Sequence, residues 1–142
     1  MQTPPLMSFL YVSRVAPGLA EAKTVASITR QARVHNAIAG ITGVLVFDGE
    51  SFAQLVEGIP PSIVDLHHRI LRDERHRDVQ TLWFGEAGVE REYPGWELGY
   101  LLSEDNASMQ IDRLRGLGER EALDAFREMV AALDTAGADT AG

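Results

Sequence analysis

The chain has 142 residues, 45% of them hydrophobic, with 21 acidic against 13 basic side chains, a formal net charge of -8 and no cysteine. That length suits one domain with a single core, and the lack of cysteine excludes disulfides, thiolate metal sites and cysteine nucleophiles. The acidic balance speaks against direct nucleic-acid binding, and a polar start with no apolar run of about 18 residues leads us to expect a cytoplasmic protein without signal sequence or membrane span.

Residues 7–13 (MSFLYVS) are aromatic and β-branched and predict a first strand, with Phe9, Tyr11 and Ser13 on one face. Pro17-Gly18 marks a turn, and helical spacing through Val25, Ile28 and Ala32 predicts a helix over 21–36 whose buried stripe ends on Asn36. Two β-rich runs then flank Asp48-Gly49, a strong hairpin signal. With Asp48 and Gly49 as the two turn residues, Leu45 faces Phe52, Gly43 faces Gln54 and Ile41 faces Val56. That register sets the amide of Gln54 on an apolar face, where it costs about 1–3 kcal/mol unless something meets its hydrogen-bonding atoms.

Beyond Gly58-Ile59-Pro60-Pro61, Ser62 and Asp65 resemble a capping box, and Ile63, Leu66 and Ile70 give the stripe of a second helix ending near Asp73. Residues 79–84 predict a strand, 85–95 a connection broken by Pro94-Gly95, and 96–102 a last strand with Trp96, Leu98 and Tyr100 on one face. Two amphipathic helices follow, one on Ile111, Leu114 and Leu117, the other on Leu123, Phe126, Val130 and Leu133, before a small polar tail over 135–142 expected to be disordered.

The order β-α-β-β-α-β-β implies an α+β, ferredoxin-like sandwich, with two helices on one sheet face and the two C-terminal helices covering the other. Its domain would span 1–104 and its capping helices 105–134. Right-handed crossovers make the first and third strands neighbours, which brings Tyr11 and Gln54 together on the helix-covered face.

In that order, Tyr11 in LYVSR, Asn36 in HNAIAGITG, Gln54 in SFAQLVEG, Asp73-Glu74-Arg75-His76 and Tyr93-Pro94-Gly95-Trp96 resemble the BLUF family of flavin-binding blue-light sensors over about residues 8–100. The resemblance implies non-covalent FAD, or FMN or riboflavin in its place, with the ring between the two helices. Tyr11 would be the electron and proton donor, and Gln54 would lie between its hydroxyl and the flavin. Ile28, Asn36, Asp73, Arg75 and His76 would bind the cofactor, and Trp96 and Leu98 would belong to the strand that transmits the signal. Many members carry methionine where this chain has Leu98, which implies altered recovery or output. Such a receptor would be no enzyme, since too little chain remains for an output domain, and would act through a separate partner protein or a homo-oligomer interface. The alternative is a light-independent flavin-binding interaction module.

Each residue also has an ordinary reading when taken singly: Tyr11 as a half-buried strand tyrosine, Gln54 as a satisfied core amide, Asn36 as a helix C-cap. The four histidines lack metal-ligand spacing, since His67 and His68 are adjacent on a helix and project about 100° apart. No Gly-rich phosphate loop is present, so a cofactor pyrophosphate would rely on scattered cations such as Arg30, Arg33 and Arg72.

Overall fold

The computed structural model describes residues 4–18, 22–102 and 107–141. The chain runs β1 (Met7–Val15), α1 (Ala22–Ala39), β2 (Thr42–Phe47), β3 (Ser51–Gly58), α2 (Pro60–Arg72), β4 (His76–Glu86), β5 (Gly99–Leu102), α3 (Ala107–Leu114) and α4 (Glu119–Ala141). The helix start expected at Glu21, the boundary between residues 104 and 105, and the final Gly142 lie outside the described residues.

The five strands form one sheet in the order β4-β1-β3-β2-β5. β1 and β3 are antiparallel central neighbours, and β5 joins β2 in parallel at the far edge. Alternation along β1 sends Phe9, Tyr11 and Ser13 to one face and Leu10 and Val12 to the other. On the first face Phe9, Tyr11 and Val56 pack against Ile63, Leu66 and Ile70 of α2, and Leu45, Phe47 and Phe52 pack against Val25 of α1. On the second, Leu10, Val12, Val44, Val46 and Leu55 pack against Ile111 and Leu114 of α3 and Leu123, Phe126 and Val130 of α4. The sandwich is therefore ferredoxin-like with helices on both faces. Burial on both sides explains why β2 and β3 read as nearly continuous apolar runs.

Several boundaries differ from the sequence reading. The hairpin turn spans four residues, because Phe47 pairs with Phe52 and the Asp48 carboxylate accepts the backbone N–H groups of Glu50 (2.9 Å) and Ser51 (2.7 Å). This side-chain turn is what Asp favours. The register consequently slips by two residues. Leu45, not Gly43, stands opposite Gln54, and Gly43 stands opposite Val56. An even slip leaves every side chain on its expected face.

No capping box opens α2. Pro60 and Pro61 occupy its first two positions after Ile59 at the N-cap, and the Ser62 hydroxyl donates to the Ala39 carbonyl at the end of α1 (2.9 Å). β4 is longer than expected, at 11 residues against the 9 of β1, and two register shifts absorb the excess. The shift near Asp78, whose φ is 51°, lets the charged run His76-Arg77-Asp78 join the sheet. α4 continues to Ala141, so residues 135–141, expected as disordered tail, extend a helix already anchored by packing, where each added residue costs little.

Gly43 is required by close backbone approach. A Cβ there would collide with the Leu55 carbonyl and sit 2.9 Å from Val56 Cα. Gly43→Ala is expected to lower stability by about 1–3 kcal/mol in urea denaturation, the usual range for overpacking a site that cannot yield.

Candidate functional site

A cavity of about 410 Å³ lies between α1 and α2 over the sheet. The sheet supplies Tyr11 from β1, Leu45 from β2, Phe52 and Gln54 from β3 and His76 from β4. α1 supplies Ile28, Gln31, Ala32, His35 and Asn36; α2 and the turn after it supply Leu66, Arg69, Ile70, Arg72, Asp73 and Arg75. Tyr11, Ile28, Asn36, Gln54, Asp73, Arg75 and His76 thus all line one cavity, as does Arg72. Arg30 does not line it, and Arg33 instead donates to the Leu98 carbonyl (3.2 and 3.3 Å).

Direct strand pairing places Tyr11 beside Gln54, and the phenol donates to Gln54 Oε1 at 2.5 Å. Both are almost fully buried, at 2% and 5% exposure. Burial, and secondarily the negative charge of Asp73, raises the Tyr11 pKa well above the ordinary phenol value, so the hydroxyl keeps its proton. Asn36, on the helix stripe and 1% exposed, donates through Nδ2 to the Glu97 carbonyl (2.7 Å). Among the described residues, neither Gln54 Nε2 nor Asn36 Oδ1 has a protein partner. A cavity with apolar sides and two such amides fits a flat ligand edged with carbonyl and N–H groups.

At the edge of the site Arg75 grips Asp73 through Nε–Oδ1 (3.0 Å) and Nη2–Oδ2 (2.7 Å), and its Nη1 donates to Gln31 Oε1 (2.9 Å). The Arg75 hydrogen bonds hold the Asp73 carboxyl below the usual range. His76 shares a hydrogen bond between Nδ1 and the Ser13 hydroxyl (2.8 Å). Burial lowers its pKa, and the Arg75 charge lowers it further against the opposing pull of Asp73.

The segment after β4 departs most from expectation. β5 begins only at Gly99, so strand alternation does not govern Trp96. Leu98, 3% exposed, packs with Val25, Leu45, Phe47 and Phe52 on the cavity side, and Tyr100 lies against the same cluster. Trp96 packs against the opposite cluster, stacked on Tyr93 with ring centroids 5.8 Å apart. Trp96 and Leu98 therefore occupy opposite faces. Gly99 makes room for the indole, since a Cβ there would lie 2.7 Å from its Cζ3. The cavity residues not singled out from sequence include Gln31 and His35, which extend the stripe of Ile28 by three and seven positions. Helical spacing carried that signal.

Residues 6–99 match the family model for BLUF, "Sensors of blue-light using FAD". Photoactivated adenylate cyclase subunit beta of Euglena gracilis is 34% identical over 94 residues, covering 66% of this chain and 11% of that one. The alpha subunit is 35% identical over 78 residues, covering 55% and 8%. The chain thus spans about a tenth of the length of these relatives. Among solved structures, the dark state of BlrB, a BLUF protein, is similar with a TM-score of 0.74 and 26% identity, over 92% of this chain and 98% of that one. Klebsiella pneumoniae BlrP1, in a manganese and cyclic-diGMP complex, is similar with a TM-score of 0.62 and 30% identity over 76% and 28%.

A buried histidine whose folded pKa is depressed stabilises the fold fully above its unfolded value and progressively less as pH falls through the folded one. Between about pH 7.5 and pH 5 the urea midpoint should fall. His76→Gln should make that decline shallower, with the contribution of His67, whose pKa burial also lowers, remaining.

Proposed function

The chain belongs to the BLUF family, flavin photoreceptors for blue light, and from that premise we propose that FAD occupies the cavity between α1 and α2, with Tyr11 as its photochemical donor and Gln54 as the hydrogen-bond switch. The hydrogen bond from the Tyr11 hydroxyl to Gln54 Oε1 carries this reading. The family is one of sensors, so no catalytic turnover is assigned to the chain.

When bound, the isoalloxazine absorbs blue light and can accept an electron. The protein's part is to supply that electron with its proton and to record the event. Tyr11 is kept as a neutral phenol by burial and by Asp73, and a phenol that loses an electron becomes strongly acidic. Gln54 Oε1 already holds its hydrogen bond, so the proton has an acceptor without any water entering. An amide is an acceptor at one end and a donor at the other. Rotation or tautomerisation of Gln54 therefore changes the hydrogen bonds offered to the cavity while leaving the backbone of β3 in place. Asn36, anchored on Glu97, offers Oδ1 as an acceptor, and Asp73 fixes the orientation of Arg75 at the edge of the site.

Output passes to a separate partner or to a second copy through the C-terminal helices, because α3 and α4 pack on Leu10, Val44 and Leu55 of the same strands that line the cavity. Among the described residues no helix is long and apolar enough to cross a membrane. Leu98 touches this arrangement directly, packing with the cavity residues Leu45 and Phe52.

Three outcomes are expected. A blue flash should shift the flavin absorption of the purified protein slightly to longer wavelength, with recovery in the dark. Tyr11→Phe and Gln54→Leu should each retain the flavin and lose that shift; a shift that persists in both would dismiss the assignment. Leu98→Met places a flexible, weakly accepting thioether beside Leu45 and Phe52, and it should change the rate of dark recovery followed by absorbance.

A further inference from the structure

Ser13 is fully buried on the face of β1 that carries Tyr11, and its hydroxyl lies 2.8 Å from Nδ1 of His76. Among the described residues that nitrogen is the only hydrogen-bond partner of the hydroxyl. Alanine would suit a fully buried strand position without any polar demand, so packing alone does not call for a serine. A buried hydroxyl proton is costly without an acceptor. If Nδ1 carried the ring proton and donated it to Oγ, the proton of Ser13 would have none. The serine is therefore the donor and Nδ1 the acceptor, which leaves the proton of the neutral imidazole on Nε2. Nε2 lies 4.0 Å from Asp73 Oδ2, beyond hydrogen-bond range, and that oxygen already accepts from Arg75 Nη2 at 2.7 Å. The ring packs against Tyr11 and Phe52, with centroids 6.1 and 5.3 Å away, and lines the cavity. Its burial lowers its pKa and so favours this neutral form.

From this geometry we propose that Ser13 is a positioning residue: its hydroxyl holds His76 in one ring orientation and one tautomer, so that Nε2–H stands as a fixed donor that a bound flavin must meet with an acceptor atom. The proposal rests on the flavin reading above and deepens it. The polar edge of a flavin alternates carbonyl and N–H groups. A histidine free to flip or to exchange tautomers pairs with either kind, and so admits the ring in two registers one group apart. A fixed donor admits one, because the other sets N–H against N–H. Ser13 touches neither the cavity nor the ligand in this account and acts only through His76. A single register is also what Gln54 requires, since a change in its amide is recorded only by a ring held in one place.

The test is the nitrogen NMR spectrum of the full chain with labelled histidine, recorded at about pH 8, where the ring is neutral, without flavin and with FAD. The signals of His76 are those lost in His76→Gln. A protonated Nε2 and an unprotonated Nδ1 are expected in both states. Ser13→Ala should move the two shifts toward each other as the second tautomer is populated, weaken FAD binding by about fivefold and broaden the infrared carbonyl bands of the bound flavin. Ser13→Thr, which keeps the hydroxyl, should restore the single tautomer. A ring protonated on Nδ1 in the unaltered chain overturns the proposal, and so does a tautomer that Ser13→Ala leaves unchanged. A chain that shows the expected tautomer and binds no flavin overturns the flavin reading, while the assignment of the proton stands.

Discussion

The pairing of β1 with β3 is the constraint on which the rest of the molecule depends. Both strands are interior to the sheet and covered on both faces, so almost all their side chains must be apolar or have a partner. Tyr11 and Gln54 satisfy that demand at one paired position by bonding each other. The bond leaves the second end of the amide directed to the cavity, so a structural necessity and a functional handle coincide in one side chain. Slipping either strand by a single residue would turn that strand's member of the pair into the opposite apolar cluster. The tight backbone fit at Gly43 helps prevent that slip by joining β2 to β3 in one register.

A second buried polar group does comparable work outside the cavity. Glu57, 5% exposed, accepts the Thr42 hydroxyl (2.8 Å) and the backbone N–H groups of Glu92 and Tyr93 (2.8 Å each). Arg91 adds bonds to the Thr42 hydroxyl (2.9 Å) and the Gly40 carbonyl (2.8 Å). A carboxylate so enclosed would be costly to bury if any of these were missing; complete, the set pins the connection between β4 and β5 to the end of the sheet. Glu57 lies three residues beyond Gln54 on the same strand, on the opposite face.

Much of this was legible in the chain. Element order and the stripe Val25, Ile28, Asn36 follow from periodicity, the pairing of the first and third strands follows from right-handed crossovers, and together they assemble the cavity from residues far apart in sequence. What periodicity could not reveal was local. The Asp48 turn is set by a side chain capturing backbone groups, not by the length of the Asp-Gly pair. The start of β4 was hidden because His76, Arg77 and Asp78 have no β-propensity, and the sheet recruits them through a bulge that no composition signals. Alternation places Trp96 on a strand, but that strand begins only at Gly99.

The residues between β4 and β5 explain how such local features bear on one another. Three successive carbonyls there are held by three different donors: Trp96 by the Gly43 N–H (2.9 Å), Glu97 by Asn36 (2.7 Å) and Leu98 by Arg33 (3.2 and 3.3 Å). At the other end of the segment Glu92 is paired with Arg127 of α4 at 2.5 and 3.2 Å. Exposed ion pairs of this kind add little stability, about 0–1 kcal/mol, so the tie to α4 is one that can be exchanged at small cost. The tie at Asn36 is buried and uncharged, and its donor belongs to a cavity-lining amide. One short segment thus joins a firm contact at the cavity to a weak contact at the C-terminal helix. Breaking the exposed Glu92–Arg127 pair therefore costs less than breaking the buried bond from Asn36.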